Sequence, residues 1–181
     1  MMVHKLILSR QTSPIGDFLL VCDMNGILVA SEYADHLPRL HRLLSRRLGH
    51  YHLSEGAAVI SISQALKAYF DGDITAIDTI PVTFNGSDFQ NKAWAALRQI
   101  PAGETASYCE QAARIGNKKA ARAVGSANHN NPYNLIVPCH RVIGTNGNLV
   151  GYAGGLERKR WLLEHEKRYA NPPMHLKIQS E

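Results

Sequence analysis

Positions 136–143 read Ile-Val-Pro-Cys-His-Arg-Val-Ile, and this stretch limits what can surround it. The flanks Ile136, Val137, Val142 and Ile143 are apolar and β-branched, so they predict buried, strand-like backbone. Pro138 interrupts the pattern, because its ring fixes φ and leaves no amide proton for a ladder. Cys139 is therefore expected at an irregularity in a packed core, next to His140. An inert buried thiol beside a surface histidine is the ordinary meaning of such a pair. The rest of the chain argues otherwise.

A chain of 181 residues suits one large or two small domains, and 45% hydrophobic with 19% charged residues is a soluble globular composition. No apolar run is long enough for a bilayer span, and the first five residues do not open a signal peptide. Cys22, Cys109 and Cys139 have no paired spacing, so free thiols in a reducing, cytoplasmic setting are expected. The net charge of +5 is unevenly spread. Residues 87–170 hold twelve Lys and Arg against six Asp and Glu, and the remainder holds eight against nine. The basic excess lies in the half with Cys139, which suits a polyanionic partner as well as it suits a solubilising face.

In the first half, residues 3–8, 18–22 and 27–30 are short apolar runs joined by turn formers, including Asn25 and Gly26. They predict a three-stranded antiparallel meander. Helical spacing over 36–48 (Leu37, Leu40, Leu43, Leu44, Leu48) and over 57–70 adds two helices. His36, His41, His50 and His52 lack neighbours at ligand spacing, so no metal is expected there. Residues 78–88 read as the connection between halves.

The second half begins with a helix capped by Ser87 or Asp88 that buries Phe89, Ala93, Trp94 and Leu97. A short helix capped by Ser107 and stopped at Gly116 follows, then one over 118–129; together they outline a helix-turn-helix. The third helix is poor in bulk. Ala120, Ala123 and Ala127 fall near one face, and Gly125 and Ser126 are also small, which fits close approach to a minor groove or an alanine-rich core helix. A glycine-rich loop around Tyr152 and a last helix with Arg158, Lys159, Arg160 and Trp161 complete the half.

Taken together, the residues resemble the methylated-DNA–protein-cysteine methyltransferase (O6-alkylguanine-DNA alkyltransferase) family. The likeness rests on 136–143 and on Lys-Ala-Ala-Arg-Ala-Val-Gly at 119–125. Asn131 with Pro132, Gly-Tyr-Ala-Gly-Gly at 151–155, and Lys-Arg-Trp-Leu-Leu-Glu-His-Glu at 159–166 support it. It is dense over 87–168 and only an outline before that. It implies an α+β protein with an amino-terminal domain (1–80) of ribonuclease-H-like outline, a linker (81–86), a winged-helix-like domain (87–170) and a flexible tail (171–181). It implies an irreversible, single-turnover transfer of an alkyl group from O6 of guanine in double-stranded DNA to Cys139, by a monomer without cofactor. His140 would be the base, acting through a water; Glu166 would orient it, and Asn131 would brace the turn. Tyr108 would press on the phosphate beside the flipped nucleotide, and Arg122 would fill its place. Lys119, Ala121, Ala123 and Gly125 would face DNA. Val142, Val150, Tyr152, Ala153 and Gly154 would form the guanine pocket.

Three departures alter local expectations. Gln111 stands where the family usually has an apolar residue, so packing there should differ. Asn134 replaces a proline of some members, so the 132–138 connection should be less rigid. Ala153 replaces a serine that some members place near O6, so main-chain amides should do more of the recognition. Cys109 is expected to be a packed helix residue. Two other functions compete: a module that recognises alkylated bases without transfer, and a helix-turn-helix regulator with an incidental thiol. The first lacks a cysteine at this position in the family, and the second needs long base-reading side chains that 118–127 does not have.

Overall fold

A computed structural model describes residues 2–171 of the chain. Strands β1 (His4–Gln11), β2 (Phe18–Asp23) and β3 (Leu28–Tyr33) form the expected antiparallel meander. The β2–β3 turn is closed by Asp23, whose carboxylate accepts from the amides of Asn25 and Ile27, and Gly26 takes φ 80°. Helix α1 (Leu37–Leu48) then crosses over and returns the chain as β4 (Tyr51–Glu55), which pairs parallel with β1. The sheet order is β3-β2-β1-β4. Sequence reasoning passed over β4 because Tyr-His-Leu-Ser-Glu is short, polar and half-exposed, as an edge strand can be.

Interior strand β2 is covered on both faces, which is why it reads Phe-Leu-Leu-Val-Cys without alternation. Leu19 and Val21 meet Leu40 and Leu44 of α1. Phe18, Leu20 and Cys22 face the larger core, shared with α2 (Ile60–Asp71), α3 (Asp88–Arg98), and 133–142. That core runs without a break from the first half into the second. Helix α2 starts at Ile60 rather than at 57, where no side chain caps it.

Helices α3 and α4 (Tyr108–Arg114) start with capping boxes, Ser87 with Gln90 and Ser107 with Glu110. Helix α5 (Ala121–His129) begins three residues later than expected, because Lys118, Lys119 and Ala120 form a turn. The alanine face is also divided. Ala120 and Ala127 pack inward with Val124, whereas Arg122, Ala123 and Ser126 point outward. Ile136 and Val137 are buried, but in a turn rather than a strand; only Val142 and Ile143 form one, β6, parallel to β5 (Ala106–Ser107). Leu135 within that turn has φ 72°, a left-handed conformation unusual for a bulky residue. Helix α6 (Leu156–Ala170) runs past the expected end at Glu166, and Trp161 and Leu163 on it are only half-buried. The tail beyond Asn171 lies outside the described residues. No helix among the described residues is long and apolar enough to cross a membrane.

Candidate active site

Cys139 opens a single 3-10 turn, Cys139–Arg141, and Pro138 supplies the bend with ψ 67°. The thiol is almost enclosed, with 6% of the residue exposed. Asn131 holds it from the side: its amide donates to Val137 O at 2.8 Å and to Cys139 Sγ at 3.4 Å, and its Oδ1 accepts from Tyr133 N at 2.9 Å. The 132–138 connection is not loose. Asn134 is fully buried and donates to Glu32 Oε1 at 2.6 Å, and Ser31 accepts from Asn134 N and donates its hydroxyl to Asn134 O.

Glu166 is the hub behind the turn. His140 Nε2 lies 2.8 Å from Glu166 Oε1, Arg141 donates at 2.9 Å to each carboxylate oxygen, and Tyr69 of α2 donates at 2.8 Å. Burial alone would raise this carboxyl. His140 and Arg141 outweigh it and hold Glu166 far below the ordinary carboxylate range. Burial lowers His140 more than Glu166 raises it, so the imidazole is neutral at physiological pH. A carboxylate only accepts, so the His140 proton sits on Nε2 and Nδ1 is a basic lone pair. That Nδ1 is buried and has no protein partner among the described residues.

Burial also pushes the Cys139 thiol up, against the pull of the Asn131 amide and of the Arg39 and Lys159 charges. The resting sulfur is therefore a thiol, and a neutral base with a free lone pair is what it needs to react. Lys159 is fully buried, and Nζ donates to the carbonyls of Val142, Val150 and Gly151 at 2.5, 3.1 and 3.0 Å. Burial brings its pKa down to about 8.

Cys139 lies on a recess of about 130 Å³ shared with Tyr108, Gly125, Asn128, His129, Gly151, Tyr152 and Ala153. Tyr108 reaches across it and donates to Val150 O at 3.0 Å. Val142, Val150 and Gly154 are not among the lining residues. Arg122, Ala123 and Lys119 are exposed on or just before α5, and Ala121 is half-exposed beside them. Gln111 is buried and exchanges two hydrogen bonds with Asn128, at 3.0 and 2.8 Å, while donating to Ala93 O. Its polarity thus ties α4 to α3 and α5. Cys109 is exposed, contrary to the packed position expected of it.

Sequence reasoning did not find Arg141, Lys159, Tyr69, Glu32 or Arg39. Arg141 stood inside the quoted motif, and its adjacency to His140 was the signal available. Arg39 pairs with Glu32 and donates to the carbonyls of His129 and Asn131 at 2.6 and 3.1 Å, across 90 positions of sequence. Nothing local announces that contact.

A buried thiol, a neutral histidine held by a carboxylate, and a recess lined in part by Gly125, Asn128 and His129 suit a protein whose chemistry runs through a cysteine nucleophile. The comparisons with known proteins place it further. A model described as the DNA-binding domain of 6-O-methylguanine DNA methyltransferase matches residues 88–168. The methylated-DNA–protein-cysteine methyltransferase of Salmonella typhimurium is 42% identical over 164 residues, covering 90% of this chain and 96% of that protein. Its Mycobacterium tuberculosis counterpart is 52% identical over 121 residues, 67% of this chain and 72% of that one. Among solved structures, Mycobacterium tuberculosis O6-methylguanine methyltransferase superposes with TM-score 0.73 at 39% identity, covering 97% and 99% of the two chains. The Mycobacterium tuberculosis protein OGT in complex with DNA gives TM-score 0.75 at 39% identity, covering 90% and 94%. The chain belongs to the methylated-DNA–protein-cysteine methyltransferase family.

Proposed function

We propose that this chain repairs DNA by moving an alkyl group irreversibly from O6 of guanine in a duplex to Cys139. The carrying observation is the buried Cys139 thiol next in sequence to a neutral His140 whose buried Nδ1 has no partner among the described residues. In the reaction the thiol proton passes to His140 Nδ1, through a water. The sulfur displaces the base, an S–C bond forms, and the C–O6 bond breaks with its electron pair on guanine. Glu166 balances the imidazolium that results. A thioether has no easy leaving path, so each chain acts once.

O6 is inside the base stack, so the nucleotide must be flipped out, at a cost of roughly a few kcal/mol. Arg122 is exposed on α5 and reaches into the vacated space, while Tyr108 bears on the neighbouring phosphate. Lys119, Ala121, Ala123 and Gly125 allow α5 to lie close to the minor groove. Tyr152 and Ala153 hold the base, with Val142, Val150 and Gly154 supporting them. Residues 1–80 form a ribonuclease-H-like support, joined by 81–86 to a winged-helix-like domain at 87–170 whose α4–α5 pair is the helix-turn-helix. The protein acts as a cytoplasmic monomer on O6-alkylguanine duplex. No metal or other cofactor is required.

The test is incubation with duplex containing O6-methylguanine, followed by peptide mass analysis. The Cys139 peptide should gain about 14 Da, a methyl in place of hydrogen. Cys139→Ala should abolish transfer and keep duplex affinity. Methyl on Cys109 with Cys139 unmodified would overturn the reading, and binding without transfer would favour a recognition module.

A further inference from the structure

Tyr33 belongs to β3 in the amino-terminal half, yet its side chain ends against Tyr152, a residue of the recess lining. It is fully buried, and its hydroxyl lies 2.8 Å from that of Tyr152, which lines the recess. The two rings meet edge to face with centroids 6.3 Å apart, and the Tyr152 ring is 6.4 Å from that of His140. Arg158 lies over the Tyr33 ring at 4.1 Å, donating to Ile15 O at 2.8 Å and Gly154 O at 3.3 Å and pairing with Asp35 at 3.0 Å. Position 154 is a glycine for the same reason, since a Cβ there would stand 2.3 Å from the Tyr33 ring. The tyrosine is fixed between the sheet, the glycine loop and the start of α6.

Two hydroxyls that share one hydrogen bond use one proton between them. Burial raises both phenols above their ordinary range, so each keeps its proton at physiological pH. The Tyr33 hydroxyl has no other hydrogen-bond partner among the described residues. Were Tyr152 the donor, the Tyr33 proton would be buried without an acceptor, an arrangement that structures avoid. With Tyr33 as donor its hydroxyl is satisfied, and the Tyr152 proton is free to turn toward the recess.

We propose that Tyr33 is a positioning residue for base recognition: it donates to Tyr152 and thereby leaves the Tyr152 proton directed at the flipped base. O6-alkylated guanine suits such a donor, because alkylation at O6 removes the N1 proton and leaves acceptors along that edge. Unmodified guanine keeps a donor at N1 and would meet the Tyr152 proton head on. The amino-terminal half then takes part in telling damaged from undamaged guanine, although it carries none of the family's motifs in this chain. This rests on the alkyl-transfer reading above.

The experiment is a double-mutant cycle on Tyr33→Phe and Tyr152→Phe, read as single-turnover transfer at saturating O6-methylguanine duplex and as affinity for undamaged duplex. Phenylalanine keeps the ring against Arg158 and Gly154, and thermal melting checks that each variant folds. Tyr33→Phe should slow saturated transfer about three- to tenfold, the range for one lost hydrogen bond, with affinity for undamaged duplex unchanged. In the Tyr152→Phe background the same change should cost nothing further. A Tyr33→Phe protein at wild-type rate, or two effects that multiply independently, would overturn the proposal. Wild-type protein that binds but never transfers would instead sink the transfer reading. The same cycle, read as preference for O6-methylguanine over undamaged duplex, would still decide the role of Tyr33.

Discussion

Each oxygen of the Glu166 carboxylate accepts from Arg141, and Oε1 also faces His140 Nε2 and the Tyr69 hydroxyl, so every polar neighbour is a donor. That uniformity fixes the histidine tautomer. Replacing Glu166 with Gln keeps the volume, but it sets an NH2 group among those donors and leaves the Arg141 charge buried without its counter-ion. Removing one partner of a buried pair costs about 3–5 kcal/mol. Loss of the right tautomer in a comparable relay costs about 10⁴ in rate, so a fall of at least about 100-fold is expected here. Glu166→Gln should therefore lose both stability, by urea denaturation, and single-turnover transfer. A variant that melts early but transfers at wild-type rate when folded would confine Glu166 to a structural role.

Helix α5 illustrates how far pattern alone can carry. Its shortage of bulk was legible from composition, and Gly125 does line the recess, but the face that points outward was not legible. Alanine spacing cannot distinguish the side packed on Val124 from the side carrying Arg122, because alanine serves equally in a core and against a partner's backbone. The one long, charged side chain on the outward face is Arg122. Arg122→Ala is expected to slow repair in duplex several-fold more than reaction with the free alkylated base, by single-turnover kinetics on both, since only the duplex needs its vacancy filled. Equal slowing would remove the flipping role. Gln111 joins the same layer from α4. Gln111→Leu would restore an apolar residue but strand the buried Asn128 amide, at about 1–3 kcal/mol. Chemical denaturation should show that loss, and a neutral or stabilised variant would mean that α3, α4 and α5 are held by apolar packing alone.

Across the whole molecule, the turn that carries Cys139 was the legible part and its support was not. A proline, cysteine and histidine in eight residues carry a local signal. The partners that hold them, such as Tyr33 with Tyr152 across 119 positions and Glu32 with Asn134 across 102, have no periodicity to betray them. They also mean that the site titrates with the fold. Glu166 is depressed in the folded protein, and His140 is lowered too, by burial. An unfolded chain with ordinary values, about 4.3 and 6.5, binds more protons than the folded one as the solution turns acidic. Stability from these groups is thus present above about pH 6.5, and it is lost as pH falls, first through the histidine range and then through the carboxylate range. The thiols act with the opposite sign. Cys22 is raised to about 11, by burial and then by Asp23, and Cys139 is raised by burial, so their contribution is whole below the ordinary thiol range and lost as pH climbs past it. Buried Lys159, brought down to about 8, opposes the thiols on the alkaline side, so the clear expectation is on the acid side: the urea midpoint should fall as pH drops below about 7. A midpoint that held level or rose from pH 7 down to pH 4 would contradict a neutral His140 beside an anionic Glu166, and with it the base proposed for the transfer step.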